Sequence, residues 1–357
     1  MQRHGVIMGL HPVITQAYSP QGCASREVPA VFGLLSLPDA LSRRKTLVTF
    51  IPVQAERGSR GAVAFTHLAV PYGTSEEYLR LVLPALIDGL RRGDRILLVA
   101  PEENLDLVRA HLGADASRIR SIRSQDWYGH PARVLAEYFD YARRGGPSLF
   151  VGEPTWRTPR DAAEWARVEA IVNIVCASLK GAALCVYRRP AEDALRTHPR
   201  YLDMAGEHRS GVYVPPQRMN WNPPPFPAPP DGARVMEFDL PTVRDMRSFV
   251  RTTATEAGLS DEAAGSLVLA AAEIAANAVE HGAGHGTVTI WTAGTDLVCE
   301  ITNPDGGGIE VEFPGYIPPE QESLRGYGLW ISRQLCDLME VQTTGRESRI
   351  RLHMAMA

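Results

Sequence analysis

Long apolar runs are missing from this 357-residue chain. No stretch reaches the roughly 18 residues that a membrane-crossing helix needs. The one apolar patch near the start, residues 5–10, is broken by His11 and Pro12, which argues against a secretory signal. Cysteine is scarce, five residues in all: Cys23, Cys176, Cys185, Cys299 and Cys336. They are odd in number, scattered and without a C-x-x-C pair, which excludes a disulfide framework and a zinc ribbon. They read as reduced core thiols of a cytoplasmic protein. Excess charge is missing too. Lys and Arg total 37 against 41 Asp and Glu, a net charge of −4. No global field draws the chain to nucleic acid or to an anionic membrane, and neither is expected as a partner. There is no G-x-x-x-x-G-K-[ST], hence no P-loop.

What is present is an ordinary globular composition, 45% apolar and 22% charged, spread over a length that suits two domains. Residues 1–60, rich in Gly, Pro, Ser and Arg and without sustained periodicity, are expected to form a disordered leader. From residue 63 short apolar runs alternate with amphipathic stretches of about a dozen residues. Strands are expected over 63–70, 95–100, 119–122, 148–151 and 183–187, with helices over 74–92, 104–112, 132–143 and 162–179. Thr74 and Glu77 form a capping box at the first helix, and Gly93 stops it. Continuous apolar strands separated by helices imply a parallel sheet covered on both faces, an α/β domain over 61–214.

Residues 215–231 form a linker; eight of the sixteen residues from Pro215 to Pro230 are proline. Such a segment favours an extended spacer between domains. Beyond it, over 232–357, the order becomes strand, two helices, two strands, loop, helix, two strands. Thr242 is expected to cap the first of these helices. Helices grouped early and strands grouped late imply an α+β two-layer sandwich.

Two motifs carry chemistry in this second domain. Glu273-x-x-x-Asn277-x-x-x-His281 sets an acid, an amide and an imidazole on one helix face. A carboxylate and an amide one turn apart can hold a hard cation and orient a hydroxyl beside it. Some fifty residues on, Leu324-Arg325-Gly326-Tyr327-Gly328-Leu329-Trp330 places two glycines at the opening of another helix. Bare backbone N–H groups and the positive helix end there suit phosphates.

With those motifs, residues 232–357 resemble the GHKL (Bergerat-type) ATPase domain, most closely that of the bacterial anti-sigma-factor serine/threonine kinases. Residues 273–281 match its N-box and residues 324–330 its second glycine box. The resemblance implies ATP and Mg²⁺ as cofactors, with Asn277 as the metal-coordinating residue. Glu273 would be the catalytic base or orienting group for a substrate hydroxyl. His281 would lie near the phosphates, and Arg325, Gly326, Gly328 and Leu329 would bind beneath the triphosphate. The adenine loop departs from the family. Its Asp-x-Gly is replaced by Asn303-Pro304-Asp305-Gly306-Gly307, so either Asn303 or Asp305 takes the adenine position, with Gly307 after it. A histidine-kinase reading is disfavoured, because prolines stand where a phospho-acceptor helix would precede the ATPase domain.

Residues 61–214 resemble the MEDS sensory domain, through Phe65–Tyr72, the stretch 83–90, Asp126-Trp127-Tyr128, Gly152-Glu153-Pro154-Thr155-Trp156, Arg167-x-Glu169-x-x-x-Asn173 and Cys185-Val186-Tyr187. His67, Trp127, Glu153 and Trp156, in or just past strands, are the candidate sensory pocket for a small molecule. The whole is expected to be a bacterial signal-transduction regulator. It would phosphorylate an antagonist protein or sequester a sigma factor, and the family resemblance suggests a homodimer. The alternative is a non-catalytic binding module for the same partners, with weak or vestigial nucleotide binding.

Overall fold

The computed structural model describes residues 65–156, 159–221, 224–304, 313–317 and 327–356. The expected leader lies outside them, as do four of the candidate site residues: Asp305, Gly307, Arg325 and Gly326.

The first domain is built on a seven-stranded sheet. In chain order its elements are β1 (Thr66–Tyr72), α1 (Ser75–Arg92), β2 (Arg95–Ala100), α2 (Glu102–Leu112), β3 (Arg120–Arg123) and a single turn α3 (Ser124–Trp127). There follow α4 (Pro131–Arg143), β4 (Ser148–Gly152), α5 (Pro159–Val175), β5 (Gly181–Arg188), α6 (Glu192–Thr197), β6 (Arg200–Asp203) and β7 (Gly206–Arg209). The strand order is β3-β2-β4-β5-β1-β6-β7. All neighbours are parallel except the β6–β7 hairpin at the edge.

Both faces of this sheet are covered, as continuous apolar strands require. Leu68, Val70, Leu98 and Val151 pack with Tyr78, Leu86 and Leu105 of α1 and α2. Ala69, Leu97, Phe150 and Cys185 face α4 and α5 on the other side. The α1 ends behave as expected. Thr74 accepts from the Glu77 N–H at 3.2 Å, and Glu77 reaches back to the Gly73 N–H at 2.7 Å. Gly93 closes the helix with φ 76°, a left-handed conformation that a side chain would strain.

The second domain contains β8 (Arg234–Asp239), α7 (Val243–Glu256), α8 (Asp261–His281), β9 (His285–Ala293), β10 (Asp296–Asn303), α9 (Tyr327–Leu335), β11 (Leu338–Thr344) and β12 (Glu347–Ala355). Its antiparallel sheet runs β11-β12-β10-β9-β8. One face, including Val288, Ile290, Cys299, Ile301 and Leu352, packs on the three helices. Helix α8 is long and apolar enough by composition to cross a membrane, yet it sits at the centre of this core. Its buried alanines, Ala264, Ala270, Ala271, Ala275 and Ala278, let the other helices approach closely.

Two expectations change. Thr242 does not cap α7; its hydroxyl exchanges hydrogen bonds with Asp239, closing the turn after β8 instead. The proline segment is no free spacer along its second half. Gln342 donates to the Pro224 carbonyl at 3.1 Å and accepts from the Phe226 N–H at 3.2 Å. Arg351 lies over the Phe226 ring at 4.4 Å and donates to the Pro227 carbonyl. Phe226 is buried there against the outer face of the sheet. Arg349 also lies over the Phe226 ring, at 5.7 Å, so the segment docks through one aromatic and two arginines, which composition does not reveal.

Candidate functional site

The two motifs meet. Glu273 and Asn277 lie one turn apart on α8, both half-buried, and Gly328 in the first turn of α9 faces them. A methyl group on Gly328 would stand 3.0 Å from Asn277 Nδ2 and 3.3 Å from Glu273 Oε2. A glycine is needed here for close approach rather than for backbone freedom. Helix α9 is pinned in this position by Ser332, fully buried, whose hydroxyl bridges the Gly328 carbonyl at 2.8 Å and the Ala270 carbonyl of α8 at 3.1 Å.

Burial pushes the Glu273 carboxyl up from its ordinary value; the Arg247 guanidinium opposes the rise and Glu280 adds to it. A carboxyl shifted upward is a better proton acceptor at neutral pH than a solvated one. Arg247, on α7, went unnoticed in the sequence because nothing in its spacing links it to the motif helix. Its Nε is buried with no partner among the described residues. A cation near the carboxylate–amide pair is a further group able to meet phosphate oxygens.

The remaining sequence candidates divide. His281 is exposed at the end of α8, with Glu280 Oε2 3.9 Å from its Nε2. Leu329 packs against the apolar core of the domain. Asn303, at the end of β10, is buried, and its Oδ1 accepts from the Ala283 N–H at 3.2 Å, just past the end of α8. In that position its amide ties the motif helix to the sheet.

The first domain touches this site through α9. His130, which caps α4 by accepting from the Arg133 N–H, donates from Nε2 to the Cys336 carbonyl just past α9. Arg133 donates to the Gln334 carbonyl at 2.7 Å and the Leu335 carbonyl at 3.3 Å. These carbonyls are the negative end of α9, where cations and N–H donors are favoured. Glu164 of α5 and Arg333 of α9 form a buried ion pair at 2.9 Å. Arg333 also donates to the Met339 carbonyl at 2.9 Å and the Pro314 carbonyl at 3.1 Å. Its guanidinium lies 3.8 Å over the Tyr316 ring, whose hydroxyl donates to Glu164 at 2.7 Å.

The four residues of the candidate sensory pocket are not gathered in one place. A narrow apolar pocket, about 20 Å³ of space open to a water-sized molecule, lies between the sheet and helices α4 and α5. His67 lines it, with Tyr128, Val134, Tyr138, Trp165 and Glu169 among the others; Trp127, Glu153 and Trp156 do not. Trp127 belongs to the core on that side, and Trp156 is exposed. Glu153 is buried past β4, accepting from Tyr72 at 2.7 Å and from Asn104 at 2.7 Å. Burial pushes its carboxyl up, against the pull of those two bonds. That is the point where strand order reverses between β2 and β4, the usual ligand crevice of such sheets; Tyr72, Asn104 and Glu153 bond to one another there, and Asn104 Oδ1 is buried without a hydrogen-bond partner among the described residues.

Comparison with known proteins agrees with this division. A family described as MEDS, the methanogen/methylotroph DcmR sensory domain, matches residues 66–199. One described as a histidine kinase-like ATPase domain matches residues 236–354. No curated protein matches the chain. Among solved structures, the RsbU and RsbW domains of Rv1364c from Mycobacterium tuberculosis match at 16% identity and a TM-score of 0.26. That match covers 34% of this chain and 32% of that one, so this chain spans about a third of its length.

Proposed function

From a chain that joins a MEDS sensory domain to a histidine-kinase-like ATPase domain, we propose a cytoplasmic regulator that binds ATP·Mg²⁺ and transfers its γ-phosphoryl group to a serine or threonine of an antagonist protein. A sigma factor would be the partner it sequesters in the unphosphorylated cycle. The observation that carries this reading is the contact of Gly328 with both Asn277 and Glu273. It brings an oxygen ligand for a hard cation, a raised carboxyl and a helix start to one place. Phosphoryl transfer asks little more of a protein than positioning and charge neutralisation. Asn277 would hold a magnesium ion that neutralises phosphate charge. Glu273 would take or orient the hydroxyl proton, and Arg247 would offset phosphate charge. Arg325 and Gly326, outside the described residues, are proposed to line the phosphate side. Asp305 and Gly307, likewise outside them, are proposed for the adenine side.

Control would run through the shared helices. Val134, Leu135 and Tyr138 of α4 and Trp165 and Val168 of α5 line the sensory pocket. His130, Arg133 and Glu164, on or beside the same helices, grip α9. A small molecule that spread α4 from α5 would therefore pull on the helix whose first turn borders Asn277.

The alternative, a binding module with weak nucleotide affinity, is favoured by one observation. Asn303 Oδ1 is engaged by the Ala283 N–H rather than left free for an adenine amino group. The experiment that separates the two is a γ-phosphate transfer assay on the whole chain with candidate serine-bearing antagonists. The kinase reading expects transfer by the wild type and none by Glu273→Gln, with ATP binding retained in that variant. Binding without transfer in the wild type would leave the module reading standing.

A further inference from the structure

Beneath the sensory pocket, four buried side chains from distant parts of the chain aim one donor atom each at a common point. They are His67 on β1, Glu169 on α5, Cys185 on β5 and His198 just after α6, and their donor atoms all lie within 4.8 Å of one another. His67 Nε2 is 3.1 Å from Glu169 Oε2 and 3.3 Å from Cys185 Sγ. Cys185 Sγ is 3.2 Å from Glu169 Oε2, and His198 Nε2 is 3.4 Å from the same oxygen. In a tetrahedral site with bonds of about 2.0–2.3 Å, ligand atoms stand roughly 3.3–3.8 Å apart. Slight expansion would admit an ion.

The outer hydrogen bonds fix which atoms face inward. Asn173 donates its amide N–H to the Thr197 carbonyl at 2.8 Å and the Ala170 carbonyl at 3.1 Å, so its Oδ1 is the acceptor for His67 Nδ1 at 3.0 Å. His198 Nδ1 donates to the Ala194 carbonyl at 2.8 Å. Each neutral ring thus keeps its proton on Nδ1 and turns a bare Nε2 lone pair to the centre. His198 Nε2 is fully buried, and apart from the Glu169 oxygen at 3.4 Å it has no polar neighbour in hydrogen-bond geometry among the described residues. Two imidazole lone pairs facing a carboxylate oxygen repel it, and the Cys185 thiol supplies one hydrogen for all of them. Protonating both rings instead would place two cations with ring centroids 4.0 Å apart in a dry interior.

A divalent ion resolves the conflict. Glu169 as carboxylate and Cys185 as thiolate bring two negative charges and the imidazoles bring none, so the loaded site is neutral. Two nitrogens, one sulfur and one oxygen form a borderline-soft set suited to four-coordinate zinc chemistry. Imidazoles that donate their second N–H to a carbonyl or amide oxygen have the outer support typical of metal ligands. We propose that His67, Glu169, Cys185 and His198 form a tetrahedral site for a divalent transition metal of zinc character. It clamps β1, β5, α5 and the segment after α6 together at the floor of the sensory pocket.

The test uses the whole chain, stripped of metal and titrated with Co²⁺ as a spectroscopic stand-in for Zn²⁺, with elemental analysis after zinc loading and dialysis. Wild type is expected to take up one ion per chain, with the visible bands of tetrahedral cobalt and a near-ultraviolet thiolate-to-cobalt band. Cys185→Ser should lose the thiolate band, while Cys176→Ser, a buried thiol of the same core outside the cluster, should keep it. Asn173→Ala, which removes the outer acceptor of His67 Nδ1 and the donor to the Thr197 carbonyl beside His198 but no ligand atom, should weaken affinity by about 10–100-fold. If the wild type retains no stoichiometric zinc and shows no thiolate band, the site is a polar core network and the proposal fails. The wild-type titration decides this even if a variant misfolds. Persistence of the wild-type spectrum in Cys185→Ser would also overturn it.

Discussion

Replacing Glu164 by alanine tests whether the two domains are coupled through α9. Glu164 and Arg333 are each about 4% exposed at 2.9 Å separation, so water screens the pair little. Removing the carboxylate leaves the Arg333 guanidinium buried without its counter-charge, next to Arg167, another partner of the same acid at 3.2 Å. Breaking a buried pair in this way costs about 3–5 kcal/mol. Arg333 retains the Pro314 and Met339 carbonyls and the Tyr316 ring, which places the expected loss near the lower end, about 3 kcal/mol. The exposed pair Arg109–Asp106, with side chains 45% and 69% exposed, supplies the internal control. Asp106→Ala should cost about 0.2–1 kcal/mol. Urea unfolding followed by tryptophan emission gives both values, and a double-mutant cycle with Arg333→Ala isolates the pair, with a coupling of about 2–3 kcal/mol expected. If Glu164→Ala costs no more than Asp106→Ala, or the cycle shows no coupling, the pair does not join the domains and the reasoning is refuted.

Gly328→Ala should change thermal stability little, since the preference for alanine over glycine in a helix, about 1 kcal/mol, is offset by the crowding of Asn277 and Glu273. The same methyl would crowd Asn277 and Glu273, so calorimetry should find ATP affinity lowered about tenfold or more, roughly 1.4 kcal/mol. His130 gives the interface a pH dependence. Burial, then the Arg133 charge, holds its imidazole down at about 3, against the opposing bond to the Cys336 carbonyl. The unfolded chain takes up that proton near pH 6.5 and the docked state does not. Stability is therefore complete above about pH 6.5 and falls by about 1.4 kcal/mol per unit as pH drops toward 3. His130→Gln should flatten that part of the stability profile in acid titration. Asn303→Ala leaves the Ala283 N–H without its acceptor and should lower the melting free energy of the ATPase domain by about 1 kcal/mol.

Much of the fold was legible because its strands are short, apolar and separated by amphipathic helices. The run 95–100 stands in the structure with the bounds that its apolar residues indicate, and α8 carries the whole Glu273–His281 motif on one helix. The β6–β7 hairpin was missed. Its sequences, Arg-Tyr-Leu-Asp and Gly-Glu-His-Arg, are four residues each, polar, and held by pairing to β1 rather than by any pattern of their own. Helix α9 ends at Leu335 although Leu338 continues its apolar spacing, because Leu338 starts β11. The convergence of Glu273, Asn277 and Gly328 was legible only as two motifs; that Gly328 seats directly on the pair is a matter of packing. The convergence of His67, Glu169, Cys185 and His198 was not legible. Three of them fall in the stretches that carry the MEDS resemblance, but 131 positions separate the first from the last and no spacing links them.

Equilibrium binding of ATP to the whole chain, with and without Mg²⁺, bears most directly on the central reading. The account predicts saturable binding that needs magnesium and weakens at least about tenfold, roughly 1.4 kcal/mol, in Asn277→Ala. Saturation unaffected by chelating the metal, equal affinity in Asn277→Ala, or no saturable binding at millimolar ATP would contradict it.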